Sequence, residues 1–149
     1  MSCIRFNTPA QERQWEQLNS SPALKAESVA AFLSPEVTDS KVKRLRSMAE
    51  DRNHRIRESA ALHKHTPEES VWKLAKDRVE SVRICVARNE ATPCDVLRLL
   101  AKDKSEQVRS WVAVNFFVPA DVMAELANDE SETVRKLVAW KADLALTNA

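Results

Sequence analysis

Three features of this 149-residue sequence predict an all-α fold: it has no glycine, it is rich in helix-forming residues and poor in aromatics, and it matches itself when shifted by 26 positions. Glycine ordinarily supplies about 7% of residues and serves turns that need positive φ. Its absence excludes tight hairpins, glycine-rich phosphate loops and dinucleotide fingerprints. Four Phe, four Trp and no Tyr, set against plentiful Ala, Leu, Glu, Lys and Arg, favour helix over strand.

At the 26-residue shift, Asp51, Asp77, Asp103 and Asp129 align, as do Arg57, Arg83, Arg109 and Arg135. A branched apolar residue precedes each arginine: Ile56, Val82, Val108 and Val134. Alanine tracks at 49, 75, 101 and 127 and at 61, 87, 113 and 139 run alongside, and Pro67, Pro93 and Pro119 mark one joint. Each unit reads as two short helices. The first opens at the proline, where a missing N–H costs nothing; Thr66 and Thr92, with Glu69 and Asp95 three residues on, have capping-box spacing. Its core stripe is predicted as Val71, Leu74 and Ala75, then Leu97, Leu100 and Ala101, then Met123, Leu126 and Ala127. The second helix starts after the Asp, with Ser105-Glu106 and Ser131-Glu132 as caps, and buries Val82, Val86 and Ala87 with their equivalents. Asn89 and Asn115 close it, and His63 holds the same place in the unit before.

Before residue 50 the register fails while helical signals persist at Thr8-Pro9, Ser21-Pro22, Ser34-Pro35 and from about Ser40. End units of repeat stacks are usually atypical, because one face meets solvent. We therefore expect one continuous domain: a degenerate helical N-terminal cap over 1–50, repeats over 51–142 and a tail over 143–149. Trp15, Leu18, Val29, Phe32, Leu45 and Met48 are the expected apolar contacts of the cap. Cys3, Cys85 and Cys94 are odd in number and lack CxxC spacing, which argues against a secreted disulfide framework and for a reduced, cytoplasmic setting. With no apolar signal core and no stretch near the roughly 20 apolar residues of a membrane span, we expect a soluble, unprocessed chain without a membrane partner.

The run Leu74-Ala75-Lys76-Asp77, then Val82-Arg83, Ala87-Arg88-Asn89 and Thr92-Pro93, resembles the leucine-rich repeat variant family and, more distantly, HEAT repeats, over residues 48–142. The resemblance implies a right-handed α-solenoid, here of 26-residue two-helix units, in which α-helices alternate with shorter, sometimes 3₁₀, helices. A HEAT-like helical hairpin is the alternative for each unit. Founding members of the variant family carry an iron–sulfur cluster on cysteines before the repeats; Cys3 stands alone there, so no cofactor is carried over. In HEAT-like repeats an Asp and an Arg six residues apart form a ladder, the spacing of Asp77 and Arg83. Such a ladder serves repeat register more than stability.

Function is sought where one unit departs from the others. Trp72 aligns with Arg98 and Ala124, and Ile84 with Glu58, Ser110 and Lys136, which suggests surface positions that anchor an interface; cover of Trp72 by the N-terminal cap is the alternative. The segment Lys41–Arg88 holds 13 basic and 7 acidic residues, net +6, in a chain of net charge +1. The candidate interaction surface is Arg44, Arg46, Arg52, Arg55, Lys64, Trp72, Lys73, Lys76, Ile84 and Arg88. His63 and His65, two apart, would point to different sides of a helix; Cys85 and Cys94 make no convincing zinc pair; and no nucleophile, base and orienting group stand together. The expectation is a non-enzymatic scaffold that binds an unidentified protein through one face, with no metal, cofactor or small-molecule substrate. The alternative is a nucleic-acid binder using the basic segment 41–88.

Overall fold

The computed structural model describes Arg13 and residues 37–147, with side chains of the last helix placed as far as Leu144. The chain divides into two compact units, Met1–Val37 and Thr38–Ala149. In the first, only Arg13, helical and exposed, and Val37 are described; the helix openings expected at Thr8, Ser21 and Ser34 and the cap contacts Trp15, Leu18, Val29 and Phe32 lie outside the described residues.

The second unit is all-helical among the described residues, with α1 (Asp39–Ala49), α2 (His54–Leu62), α3 (Glu68–Leu74), α4 (Glu80–Arg88), α5 (Cys94–Leu100), α6 (Glu106–Val114), α7 (Ala120–Leu126) and α8 (Glu132–Thr147). Seven-residue helices alternate with nine-residue ones from α2 to α7, all of them α-helical. The longer helices pack in series, α2 on α4, α4 on α6 and α6 on α8, and each short helix touches the longer helices before and after it. Helix α8 continues to Thr147, so most of the segment expected as a tail is helical.

Helix starts rest on local chemistry. Thr38 caps α1 by accepting from Lys41 N at 3.3 Å, and Asn53 caps α2 by accepting from Arg55 N at 3.0 Å. Ser105 accepts from Val108 N at 3.5 Å at the start of α6. The capping boxes expected at Thr66 and Thr92 do not form. Pro67 and Pro93 are the N-cap residues, and each Thr hydroxyl turns back to the preceding helix, donating to Ala60 O at 2.6 Å and Val86 O at 2.7 Å. That bond adds a second donor to a last-turn carbonyl, which also accepts His63 N at 3.1 Å or Asn89 N at 3.2 Å.

The core is small-branched and aliphatic. Val82, Val86, Val108, Val112 and Val134 of the longer helices meet Leu74, Leu97, Leu100 and Leu126 of the short ones, all essentially inaccessible. Two corrections apply to the predicted stripes. Val96 and Val122 are fully buried with Ser70 at the same position, so the short helices bury one residue more than the three-and-one pattern suggested. In the last pair of helices Met123 is half-buried and Ala127 and Ala139 are exposed, whereas Ala101 and Ala113 are buried, because no described helix packs beyond α8.

Two polar rows stitch the longer helices together. At their N-terminal ends, Arg57 holds Asp77 with Nε at 2.6 Å and Nη2 at 3.0 Å, Arg83 holds Asp103 at 2.7 and 3.1 Å, and Arg109 holds Asp129 at 2.8 and 3.0 Å. The partner carboxylate comes from 20 residues ahead, while the Asp six residues back supplies only its carbonyl, as Asp77 O does to Arg83 Nη1 at 2.7 Å. The six-residue spacing thus places each arginine on a backbone, and the ion pair reaches the next loop. Each aspartate also accepts a backbone N–H two residues on, such as Val79 N to Asp77 at 2.9 Å, and bends the loop without positive φ at any described residue.

At the other end, Asn89 Nδ2 donates to Ala61 O and Asn115 Nδ2 to Ala87 O, both at 2.7 Å. Lys141 continues this row on α8, donating to Ala113 O at 3.2 Å and to Asn115 O, and burial lowers its pKa. Among the described residues, no buried side-chain polar atom lacks a hydrogen-bond partner.

Since Arg83 and Asp103 are only 6% and 9% exposed, Asp103→Ala strands a guanidinium in the core edge and should destabilise the protein by about 3 kcal/mol in denaturant unfolding; an unchanged midpoint would contradict the role given to the fork. A pH effect follows as well. Burial raises the Asp77 pKa, but hydrogen bonds from Arg57 and Val79 outweigh it and leave it lowered; at Asp129 the Arg109 hydrogen bond is the main lowering cause. Depressed carboxylates contribute stability above their unfolded pKa of about 3.9 and lose it as pH falls through the lower folded values. Thermal stability should therefore decline below about pH 4, as circular dichroism melts would register.

Candidate interaction surface

The structure distributes the ten expected surface residues over different environments. Arg44, Arg52, Arg55 and Lys64 are exposed. Arg46 and Lys73 are exposed but engaged, Arg46 with Glu69 and Lys73 with Glu50, both at 2.6 Å, as ties between neighbouring helices. Trp72 and Ile84 are half-buried and packed against the core. Lys76 Nζ sits 5.7 Å from the Trp72 ring centroid. Arg88 is exposed and its guanidinium stacks 4.7 Å from the ring centroid of Trp111.

That stack leads to a surface the sequence reading passed over. Trp111 is 40% exposed, Trp140 55%, Phe117 53% and Phe116 74%, in a protein with few aromatic residues. Helices α4, α6 and α8 start 26 residues apart, so Arg88, Val114 and Trp140 hold one position in successive units and Trp111 and Leu137 another, while Ile84 matches Ser110 and Lys136. Phe116 and Phe117 follow directly in the loop after α6, packed edge to face at 4.9 Å, and their backbone is pinned because Phe117 N donates to Asn115 Oδ1 at 2.9 Å. The sequence carried the signal. Phe116 aligns with Lys64 and Glu90, and Trp140 with Leu62, Arg88 and Val114, the same departures between units that singled out Trp72.

A second surface follows the aspartate loops. Arg52 and Arg78 line one open groove with Asp77; Lys76, Arg78, Lys102 and Lys104 line the next with Arg83 and Asp103. Asp77 and Asp103 are held in the forks, Glu50 and Asp51 also line the first groove, and the outer lysines and arginines face solvent.

Other candidate chemistry is dispersed. His63 and His65 do not point apart: the chain leaves α2 at Leu62, His63 Nδ1 accepts from His65 N at 3.1 Å, and the rings lie 5.6 Å apart. Burial, then neighbouring positive charge, lowers the pKa of both, so each favours the neutral ring. Among the described residues no three His, Cys, Asp or Glu side chains gather as a metal site, and none of the helices is long and apolar enough to cross a membrane. Cys85 is buried on α4 and Cys94 exposed at the start of α5, both as free thiols. Burial, and then Glu58, pushes the Cys85 thiol up. Alkylation of the native protein, followed by peptide mass spectrometry, should therefore modify Cys94 well before Cys85; equal rates would show that the α4–α6 face opens readily. The chain matches no protein-family model, no curated protein and no solved structure.

Proposed function

We propose that this chain is a non-enzymatic scaffold which binds a protein partner through the face formed by α4, α6 and α8. The observation that carries the reading is the set of exposed aromatics on and after α6 and α8: Trp111, with Arg88 stacked on it, Trp140, and the Phe116–Phe117 pair in the loop after α6. Large rigid aromatics and arginine are the side chains that dominate binding energy at protein interfaces, and their exposure together has an energetic cost that a partner removes. The backbone under them is held by the Asn115 bonds and by the α6–α8 packing, so the surface is preformed.

The architecture that fits this role is a right-handed α-solenoid of 26-residue two-helix units, similar to the leucine-rich repeat variant family and more distantly to HEAT repeats. It is supported by the 26-residue recurrence of helix starts and by the arginine fork repeated three times in one geometry. In such a stack neighbouring units bury one another and leave a long face free. A cytoplasmic setting agrees with the free thiols.

A second reading, nucleic-acid binding, is favoured by the basic grooves with Arg52, Lys76, Arg78, Lys102 and Lys104. Phosphate neutralisation by such a row would be steeply salt-dependent. Two experiments separate the readings. Affinity capture with wild type and with a Trp111→Ala/Trp140→Ala double variant should yield a protein retained by the first and lost with the second, although both give the same far-UV circular dichroism; equal retention would sink the aromatic face as the binding surface. Titration of labelled duplex and single-stranded DNA at low salt should show no binding, and binding that weakens with salt would move the function to the basic row.

A further inference from the structure

Leu99 departs from the pattern of its track. The same position in the units on either side is held by Lys73 and Glu125, which tie neighbouring short helices or loops together, Lys73 with Glu50 at 2.6 Å and Glu125 with Lys102 at 3.8 Å. A leucine makes no such tie, and this one stays 36% exposed. It lines an open groove of about 390 Å³ between the loops that follow α3 and α5, together with Ala75 and Leu100. Lys76 and Arg78 stand on the first loop and Lys102 and Lys104 on the second.

These four cations exceed what the groove itself can neutralise. Its two aspartates are already committed, Asp77 to Arg57 and Asp103 to Arg83, each through two bonds. Arg78 and Lys104 are exposed, with no carboxylate paired to either among the described residues. Lys76 rests near the Trp72 ring, and the Lys102–Glu125 pair is exposed on both sides and therefore weak. The excess is also local. The track of Lys76 and Lys102 has Glu50 before it and Asn128 after it, and the track of Arg78 and Lys104, which begins at Arg52, ends at Glu130. Only around this groove are both tracks basic in two successive units.

We propose that the groove takes a short acidic segment of another protein in extended form, with an apolar side chain on Leu99 and carboxylates at the cations of the two loops. Packed helical units repeat at about 10 Å, a step that an extended chain covers in about three residues, so a stretch of a few residues spans both loops. Nucleic acid fits less well. A long phosphate chain would run on toward Glu50 or Glu130, no aromatic side chain among the described residues lines the groove to stack a base, and an exposed leucine contributes nothing to phosphate binding. The lining includes none of Trp111, Phe116, Phe117 and Trp140, so this site and the aromatic face stand or fall separately.

The test is fluorescence anisotropy on the full chain at about 0.1 M salt, where attraction from distant charges is screened. The probe is a labelled nonapeptide of glutamates around one central leucine. It should bind about fourfold more tightly than the same peptide with a central alanine, the return on roughly one buried methylene group. Leu99→Lys, which copies the preceding unit and adds a charge, should abolish that preference while binding the alanine peptide at least as well. Arg78→Ala/Lys104→Ala should weaken the leucine peptide about tenfold, whereas Arg44→Ala/Arg55→Ala, which removes exposed cations away from the groove, should leave it unchanged. A labelled oligothymidine of equal charge should bind more weakly than the leucine peptide or not at all. The proposal is overturned by a leucine peptide that does not bind up to about 1 mM, by equal affinity for the two peptides, or by equal losses in the two double variants. Oligothymidine binding as tight as that of the leucine peptide would also overturn it and give the groove to nucleic acid.

Discussion

The Arg–Asp fork is the interaction on which the rest of the second unit depends. A guanidinium at the edge of a Val, Leu and Ala core is tolerable when its nitrogens are engaged, and here each of the three nitrogens of Arg83 donates to its own acceptor. One goes to the carbonyl of the loop just before its own helix and two go to the carboxylate of the following loop, so one side chain fixes the rise from one helix pair to the next. The aspartate in turn uses a lone pair to bend its own backbone. The ion pair and the turn are therefore one device. This explains how a chain with no glycine changes direction repeatedly: the bends are made by a carboxylate and by prolines in their ordinary φ range.

The asparagine row does at the far end of each longer helix what the fork does at its start. Asn115 donates back to Ala87 O and Asn89 O, across to the end of the preceding longer helix. Clamped at both ends, the longer helices meet through Val and Ala in between, and their exposed side is relieved of structural duty. It is on that side that composition varies: Trp111 and Leu137 occupy one row, whose α4 member Cys85 is buried, and Arg88, Val114 and Trp140 another. The inter-helix pairs along the short helices, such as Arg98 with Asp121, are exposed and add little individually. Specific register comes from the buried rows.

Much of the fold was legible because structural positions recur. The helix pairs, the valine and leucine core, and Asn89 and Asn115 as closing residues all follow from the 26-residue shift. Two kinds of information were not local. The carboxylate partner of each arginine lies 20 residues on, and spacing within a unit points to the wrong aspartate, because a six-residue separation spans a loop and a helix start that bring the arginine to the carbonyl instead. Likewise Thr66 and Thr92 have capping-box spacing, but the proline between hydroxyl and helix turns the side chain toward the helix before. The exposed surface was legible in part. Comparing units identified Trp72, whose ring lies back on the core, while the same comparison at Phe116 and Trp140 would have marked the more exposed aromatics.

The reach of these ties bears on how the chain finds its fold. Forks span 20 residues, the ion pairs between short helices 23, and the asparagine and lysine bonds 26 to 28. None of these links requires distant segments to meet before a nearer one has formed. Loop-closure entropy is thus met in small, equal steps, and such a low contact order belongs to chains that fold quickly and can begin at more than one point along their length.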